Sequence, residues 1–276
     1  MTEQRFISDD GVRLVYDDIG DGTTIVLCHG LAAAGEQFAA DAEYFRGLGF
    51  RVLVPDLRGH DRSGMPWEIT PKTFALSRLA QDLLAMLDHA QVDKVHWVGN
   101  SLGGIVALQM LPAQRFLSLA TFGTAYSLHL PRIGGHNLIR AVYGVLGKNI
   151  VSDLTAAMTS SDPAARAIIT RVLQKVNPKV TAVLANVLTQ YDLIDNALET
   201  DVPILLLRGG KDANVNRALA PTLAALTGEP HFTLKDLPDG GHCANLDATK
   251  QFREELLAFW SGIGKAQSAT EMGYGE

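Results

Sequence analysis

The sequence predicts an α/β fold built on a largely parallel sheet. Short apolar runs alternate along the chain with segments of helical periodicity, as in successive strand–helix–strand units. The runs are apolar almost throughout, which is typical of strands covered by helices on both faces. The chain has 276 residues, enough for one large domain or for a domain with an insertion.

Eight segments have the length and composition of strands. The run 24–28 (TIVLC) is short and wholly apolar except for its first residue, and the run 202–208 (VPILLLR) is the most apolar of all. Both lengths suit buried strands. In chain order the predicted strands cover residues 5–8, 12–17, 24–28, 50–55, 94–99, 116–122, 202–208 and 231–237.

Helices are predicted between the strands, and many of them fall in one block. Leucines at three- and four-residue spacing indicate a helix across 76–87, and apolar residues across 252–259 indicate another. The block 126–196 contains no convincing strand, and we interpret it as a helical insertion. The alternative is one continuous domain with several crossover helices. Helices in the block are predicted to begin at Asn137 (closing at Gly147), at Asp162-Pro163 and at Asn177-Pro178.

The insertion divides the chain into three parts. Residues 1–125 and 197–265 are expected to form the core, with the sheet flanked by helices. Residues 126–196, inserted after the sixth strand, form a helical cap. Residues 266–276 are expected to be a loose tail.

Composition limits the possible functions. The net charge is −6, so binding to nucleic acid gains no electrostatic support. The two cysteines, Cys28 and Cys243, are too few for a disulfide framework and lack the spacing of a metal site. No apolar run reaches the roughly 18 residues of a membrane span, and the first residues lack a secretory pattern. We expect a cytoplasmic protein that binds a small-molecule substrate, without membrane or nucleic acid; its oligomeric state stays open.

The stretch 98–104 (VGNSLGG) places one serine among three glycines. Its G-x-S-x-G pattern follows a predicted strand and precedes an apolar helix, which is the context of a nucleophile elbow. Such a turn strains the backbone of Ser101 and presents its Oγ at the apex. Gly99 and Gly103 would then avoid collisions with the adjoining strand and helix. The alternative is a phosphate-binding loop, but G-x-G-x-x-G and the Gly-Lys-Ser/Thr of a P-loop are absent.

The serine needs partners further along the chain. A hydroxyl is a poor nucleophile until a base accepts its proton and an acid orients that base. The elbow fold orders these groups as serine, acid, histidine. His242 follows the last predicted strand in a glycine-rich turn, and Asp212 follows the run 202–208, at the carboxyl end where α/β sites gather. Asp236 and Asp239 are alternative acids because they lie close to the histidine in sequence.

Two backbone amides are candidates for an oxyanion hole. The amide of Leu102 follows the nucleophile, and the amide of Leu31 lies in the loop after the third strand, where Gly30 permits a tight turn. His29 begins the same loop. We interpret His29 as a brace that holds the loop rather than as a catalytic base.

Together these motifs resemble the α/β-hydrolase superfamily over nearly the whole chain. A looser match is the LLLRGGKD stretch that ends at Asp212. The resemblance implies an eight-stranded, mostly parallel sheet, a helical cap, a Ser101–His242–Asp212 triad and no cofactor. The four motifs that carry it, in the family's order, are CHGL from Cys28, DLRGHDRSG from Asp56, GNSLGG from Gly99 and GHCANLD from Gly241.

Departures from the family's usual pattern bear on the substrate. Glycine is usual where Asp61 stands, and proline is common where Ala213 stands. Asn100 before the nucleophile is similar to the carbon–carbon hydrolases of ring-cleavage products, but the loop LAAAGEQF does not match theirs. The ending HCANLD, from His242, is similar to the esterase and enol-lactonase branch. We therefore expect a carboxylic ester or lactone, small and largely apolar, cleaved through an acyl-enzyme.

The cap is expected to set specificity because it roofs the pocket. Phe38 and Trp67, in loops near the family's pocket, are candidate substrate-binding residues. Alternative activities are a carbon–carbon bond hydrolase, a cofactor-free oxygenase and a slow-turnover ligand receptor, since fold alone does not determine function. The cap also carries apolar residues that either contact an apolar substrate or pack on the core: Leu138, Ile139, Val142, Leu146, Met158, Ile168 and Ile169.

Overall fold

The computed structural model describes residues 2–131 and 142–272, with side chains up to residue 264. Its strands form one large sheet and one small sheet. In chain order they are β1 (Thr2–Ile7), β2 (Arg13–Ile19), β3 (Thr24–Cys28), β4 (Arg51–Asp56), β5 (Val95–Asn100), β6 (Phe116–Phe122), β7 (Ser127–His129), β8 (Gln190–Asp192), β9 (Ile204–Gly209) and β10 (Phe232–Leu237).

The large sheet has eight strands in the order β1-β2-β4-β3-β5-β6-β9-β10. It is parallel except at β2, which pairs antiparallel with both of its neighbours. The predicted fold class and all eight predicted strands are confirmed, with strand ends shifted by at most a few residues. The central strand β5 lies between β3 and β6, so its carboxyl end is flanked by the loops that follow those two strands.

Helices cover both faces of this sheet. One buried apolar cluster packs helices of residues 76–110 against one face, and a second packs helices of residues 39–47 and 249–260 against the other. The helices are α1 (Ala39–Gly47), α2 (Leu76–His89), α3 (Leu102–Met110), α4 (Lys148–Thr159), α5 (Pro163–Leu173), α6 (Pro178–Val187), α7 (Ile194–Leu198), α8 (Ala213–Ala218), α9 (Ala220–Leu226), α10 (Ala244–Asp247) and α11 (Thr249–Met272), with short 3-10 helices at Gly35–Phe38 and Leu111–Ala113.

Two helices of the cap begin where the sequence predicts. The Asp162 side chain accepts a hydrogen bond from the backbone amide of Ala165 at the start of α5. The Asn177 side chain accepts one from the amide of Lys179 at the start of α6. In both helices proline occupies the first turn, where its missing N–H costs no hydrogen bond. The helix predicted from Asn137 begins outside the described residues.

The sequence predicts no strand in the block 126–196, but the structure has two short strands there. Ser127 pairs with Asp192 and His129 with Gln190 in the antiparallel ribbon of β7 and β8. Each strand has only three residues, too few for a period of two to be recognisable. The ribbon brings the two ends of the block 126–196 together beside the core.

The sequence predicts a loose tail from residue 266. The C-terminal helix α11 instead continues to Met272. The segment KAQSATEM contains neither glycine nor proline, so nothing in it stops the helix before residue 272. Residues 273–276 lie outside the described part of the chain. Within that part, no helix has the length and hydropathy that a membrane crossing requires.

Candidate active site

Ser101 stands at the turn between β5 and α3. Its backbone has φ 50° and ψ −113°, a conformation that a residue with a side chain rarely adopts. Its amide donates to the carbonyl of Phe122 at 2.9 Å, which ties the turn to the neighbouring strand β6. The strained serine predicted for a nucleophile elbow is therefore present.

The glycines around Ser101 permit this turn. A Cβ on Gly99 would lie 2.5 Å from the backbone nitrogen of Gly104, and a Cβ on Gly103 would lie 2.4 Å from the carbonyl oxygen of Cys28. Both distances are too short for any real side chain. The collisions predicted from the sequence are confirmed, and they explain why glycine is required at these two positions.

His242 and Asp212 meet beside the elbow. His242 lies in the turn after β10, and its Nδ1 is 2.7 Å from Oδ2 of Asp212. Asp212 caps α8, where its Oδ1 accepts from the amide of Val215 at 3.3 Å. The aspartate side chain is 6% exposed and the histidine side chain 35%. Because the carboxylate accepts from Nδ1–H, the lone pair of Nε2 is left to accept a proton.

The two alternative acids lie elsewhere. Asp236 forms an ion pair with Arg208 at 2.6 Å, and Asp239 forms one with Lys211 at 3.1 Å. Their side chains are 55% and 81% exposed. Among the described residues, neither of these carboxylates forms a hydrogen bond with the ring of His242, whose Nδ1 is bonded to Asp212.

The elbow and the histidine turn are held against each other. Nδ2 of Asn100 donates to the carbonyl of His242 at 2.9 Å. A Cβ on Gly123 would lie 3.1 Å from Cε1 of His242, so the ring edge packs against the loop after β6. Among the described residues, no hydrogen bond joins Oγ of Ser101 to the histidine. Such contacts often shorten only when a substrate binds.

Two backbone amides at or near the elbow have no acceptor among the described residues. Leu102 is the first residue of α3, where amides have no partner within the helix. In the described part of the chain the amides of Leu31 and Leu102 donate no hydrogen bond. A Cβ on Gly30 would lie 3.1 Å from Cβ of Ser101, so this glycine lets the loop after β3 approach the serine closely.

Two buried histidines brace that loop. Nε2 of His29 accepts from the amide of Leu57 at 3.0 Å, and its Nδ1 donates to the carbonyl of Gly30 at 2.8 Å. Nε2 of His60 accepts from the amide of Ala32 at 3.3 Å. Burial lowers the pKa of each ring to about 4, which keeps both neutral and able to accept. The interpretation of His29 as a brace is confirmed, whereas the role of His60 was not anticipated, although it lies in the DLRGHDRSG motif.

A buried network of amides connects these parts. Nε2 of Gln37 donates to Oδ1 of Asn100 and to Oδ1 of Asn245, each at 3.1 Å. Nδ2 of Asn245 donates to Asp41 at 2.9 Å. All four side chains belong to residues at most 3% exposed. Gln37 and Asn245 are 208 positions apart in the chain, so no local pattern reveals the contact.

A cavity of about 190 Å³ opens beside the elbow, between the core and α4 and α5 of the cap. Most of its wall is apolar, and none of the described residues that line it is Asp, Glu, Lys or Arg. It is lined by Gly30, Leu31, Ala32, Ala33, Gln37, Asn100, Thr155, Thr159, Ile168, Ile169, Val172, Leu173, His242, Cys243 and Leu246.

The two predicted substrate-binding aromatics do not line this cavity. Phe38 is fully buried and packs edge-to-face on Phe122, with ring centroids 6.1 Å apart, so it belongs to the core. Trp67 is 101% exposed on a surface loop. Both predictions are wrong: Phe38 turns into the core beneath the loop, and the loop of Trp67 leaves its ring in solvent.

The apolar residues of the cap divide between the cavity and the surface. Ile168 and Ile169 line the cavity. Met158 is 88% exposed, and Val142 and Leu146 are also exposed. Leu138 and Ile139 lie outside the described residues. Sequence periodicity could not separate these groups, because a helix between a cavity and solvent can be apolar on either side.

Asp61, where the family usually has glycine, lies against the cap. Its φ of 38° is unfavourable for a residue with a side chain, which explains why glycine is usual there. Its carboxylate pairs with Lys175 at 3.0 Å. Lys175 and Arg171 also pair with Glu36, in the 3-10 helix of the loop that contains Leu31. Charged contacts therefore join α5 and the residues after it to the loop that follows β3.

The chain matches known proteins both in sequence and in structure. A family model described as the alpha/beta hydrolase family matches residues 25–255. Bifunctional epoxide hydrolase 2 of Sus scrofa is 26% identical over 133 residues. That match covers 48% of this chain and 24% of the relative, so the chain spans about a quarter of that protein's length.

Solved structures share the fold at low sequence identity. A carboxylesterase of Nitrososphaera gargenis superposes with a TM-score of 0.83 at 18% identity, covering 95% of this chain and all (100%) of that one. The enol-lactonase of Burkholderia xenovorans LB400 superposes with a TM-score of 0.80 at 21% identity, covering 94% of this chain and 100% of that one. Because the family model spans most of its length, this chain belongs to the alpha/beta hydrolase family.

Proposed function

We propose that this protein is a serine hydrolase that cleaves a carboxylic ester or lactone through an acyl-enzyme. The observation that carries the proposal is the strained Ser101 beside the hydrogen-bonded pair of His242 and Asp212. Membership of a hydrolase family and the structural similarity to a carboxylesterase and an enol-lactonase support it.

The first half of the reaction forms the acyl-enzyme. Nε2 of His242 accepts the proton of Ser101 as Oγ bonds to the carbonyl carbon of the substrate. Asp212 keeps the proton on Nδ1 and stabilises the imidazolium that forms. The amides of Leu31 and Leu102 donate to the oxyanion of the tetrahedral intermediate, and each lowers the barrier by roughly 3–4 kcal/mol.

The second half releases the acid. The imidazolium of His242 donates its proton to the leaving alcohol oxygen as the carbon–oxygen bond breaks. Water then attacks the acyl carbonyl while His242 accepts its proton, and return of that proton to Oγ regenerates Ser101. In a lactone the leaving alcohol remains tethered to the acyl group, so the product is one hydroxy acid.

The cavity supports a small, uncharged substrate. Its volume is about 190 Å³, and its described lining offers no charged side chain to bind an ionic group. Ile168, Ile169 and Val172 of α5 form much of the apolar wall on the cap side. A short acyl or alcohol group of apolar character therefore fits better than a long chain.

A panel of p-nitrophenyl esters and a fluorophosphonate probe tests the proposal. The wild-type protein should hydrolyse short esters and be labelled, and Ser101→Ala should lose both properties while its circular dichroism is unchanged. Labelling without turnover would favour a receptor, and oxygen uptake would favour an oxygenase. Cleavage of ring-cleavage diketones without ester cleavage would favour a carbon–carbon hydrolase. Wild-type-like hydrolysis by Ser101→Ala would overturn the proposal.

A further inference from the structure

The side-chain amide of Gln37 has its orientation dictated by its neighbours. Nδ2 of Asn100 donates to the carbonyls of Phe122 and His242, which can only accept, so Oδ1 of Asn100 must be the acceptor facing Gln37. Asn245 is fixed in the same way, because its Nδ2 donates to the carbonyl of Gln37 and to a carboxylate.

Both hydrogens of the Gln37 amide are therefore committed. Nε2 donates to Oδ1 of Asn100 and to Oδ1 of Asn245, each at 3.1 Å. A flip of the amide would set oxygen against oxygen at both contacts. The carbonyl end of the side chain, Oε1, consequently points away from the two asparagines.

Oε1 of Gln37 accepts no hydrogen bond from the described residues. Gln37 is 3% exposed and lines the cavity beside the elbow, together with Asn100 and His242. The hydroxyl of Thr159, also on the cavity wall, donates to the carbonyl of Thr155 at 2.7 Å and is not available to it. Oε1 is not among the buried polar atoms that lack a partner in the described residues, so it is accessible from the cavity, where a donor brought by the ligand would be stabilising.

We propose that Gln37 determines specificity, and that the preferred substrate carries an uncharged O–H or N–H group that donates to its Oε1. This inference rests on the proposed ester or lactone hydrolysis and narrows it. The absence of charged side chains among the described lining residues excludes an ion-paired group at this position. The substrate class is a neutral hydroxy- or amido-substituted ester or lactone.

Matched esters test this with the wild-type protein. One pair is p-nitrophenyl β-hydroxybutyrate and p-nitrophenyl isovalerate, which exchange a hydroxyl for a methyl group. The other is p-nitrophenyl N-acetylglycinate and p-nitrophenyl levulinate, which exchange N–H for CH₂. We expect kcat/KM to favour the donor-bearing ester of at least one pair by about 5- to 10-fold, the effect of one neutral hydrogen bond.

Variants assign the preference to Gln37. Gln37→Met retains the length of the side chain without the acceptor and should bring that kcat/KM ratio close to one. Asn245→Leu is the matched control, because it breaks the same network from a position that does not line the cavity. It should lower kcat/KM for both members of a pair and preserve their ratio.

The outcomes separate this inference from the function on which it rests. Hydrolysis of all four esters without preference for either donor, or an unchanged ratio in Gln37→Met, would overturn the role of Gln37 and leave ester hydrolysis standing. Absence of turnover on every ester would overturn the proposed function and this inference together. If Gln37→Met does not fold, the wild-type ratios and the ratio in Asn245→Leu decide the question.

Discussion

Asp212 differs from the other acidic residues near His242 in its surroundings. It is 7% exposed, and its two oxygens accept from the histidine ring and from a helix amide. Asp236 and Asp239 instead pair with basic side chains at the surface. A carboxylate can orient a histidine only if it is itself held in place, which favours Asp212 as the acid of the proposed triad.

Replacing these acids separates their roles. Asp212→Asn should reduce kcat by about 10³–10⁴-fold, because an amide can hold the wrong tautomer of His242 and cannot stabilise its charged form. Asp236→Asn and Asp239→Asn should change kcat by less than about threefold, since exposed ion pairs contribute little. Turnover of one activated ester at neutral pH measures all three. The assignment would be refuted if Asp236→Asn or Asp239→Asn lost most of its turnover while Asp212→Asn kept a kcat near that of the wild type.

The buried histidines that brace the loop after β3 make stability depend on pH. Burial lowers the pKa of His60 from 6.5 to about 4, and His29 behaves alike. Between about pH 4 and pH 6.5, these histidines bind protons in the unfolded chain but not in the folded protein. The stabilisation is therefore fully present above pH 6.5 and is lost as the pH falls towards 4, by roughly 3 kcal/mol per histidine.

His60→Gln should weaken this dependence. The free energy of unfolding, measured with urea at about pH 7 and about pH 4.5, should fall less in His60→Gln than in the wild type because one titrating group is gone. His129→Gln is the control, since the side chain of His129 is 68% exposed. Its pH dependence should match the wild type. Identical slopes in His60→Gln and the wild type would show that His60 is not the group responsible.

At the scale of elements, the cap is attached to both sides of the site. Ser160, at the end of α4, donates to Asp247, and the other carboxylate oxygen of Asp247 accepts from the amide of Gly241 at 3.0 Å, next to the histidine. On the opposite side, Lys175, two residues after the end of α5, pairs with Glu36 of the loop after β3 at 2.9 Å. The helices that form the cavity roof are thereby positioned relative to the reacting groups.

The roof should determine which acyl chains fit. Ile169 lines the cavity and is 8% exposed. Ile169→Ala should raise kcat/KM for hexanoate relative to acetate by about tenfold, because the removed carbons leave room for a longer chain. Met158→Ala, at an exposed position of the same cap, should leave the ratio unchanged. Equal ratios in Ile169→Ala and the wild type would show that this wall does not select the acyl group.

At the scale of the whole molecule, sequence patterns located the elements better than the contacts between them. The strands and the elbow were predictable because apolar runs and the glycines around Ser101 are local signals. The pairing of β7 and β8 was not, because each strand is too short to show a period. The ring of Phe38 was misplaced because a pattern identifies an apolar residue without telling core from cavity wall.

The buried polar network escaped prediction for a different reason. Gln37 lies in a 3-10 helix, Asn100 at the end of β5 and Asn245 in α10, and only the folded chain brings these three elements together. Nothing in their local sequence distinguishes them from exposed amides. The order of serine, aspartate and histidine along the chain was informative because the elbow fold places the ends of β5, β9 and β10 at one edge of the sheet.

The location of a covalent adduct tests the central claim most directly. The protein would be treated with a fluorophosphonate, digested, and the modified residue identified by mass spectrometry, with His242→Ala treated in parallel. The account predicts one adduct, on Oγ of Ser101, that forms much more slowly in His242→Ala because no base removes the proton. An adduct on another residue, or equally fast labelling of Ser101 without His242, would contradict it.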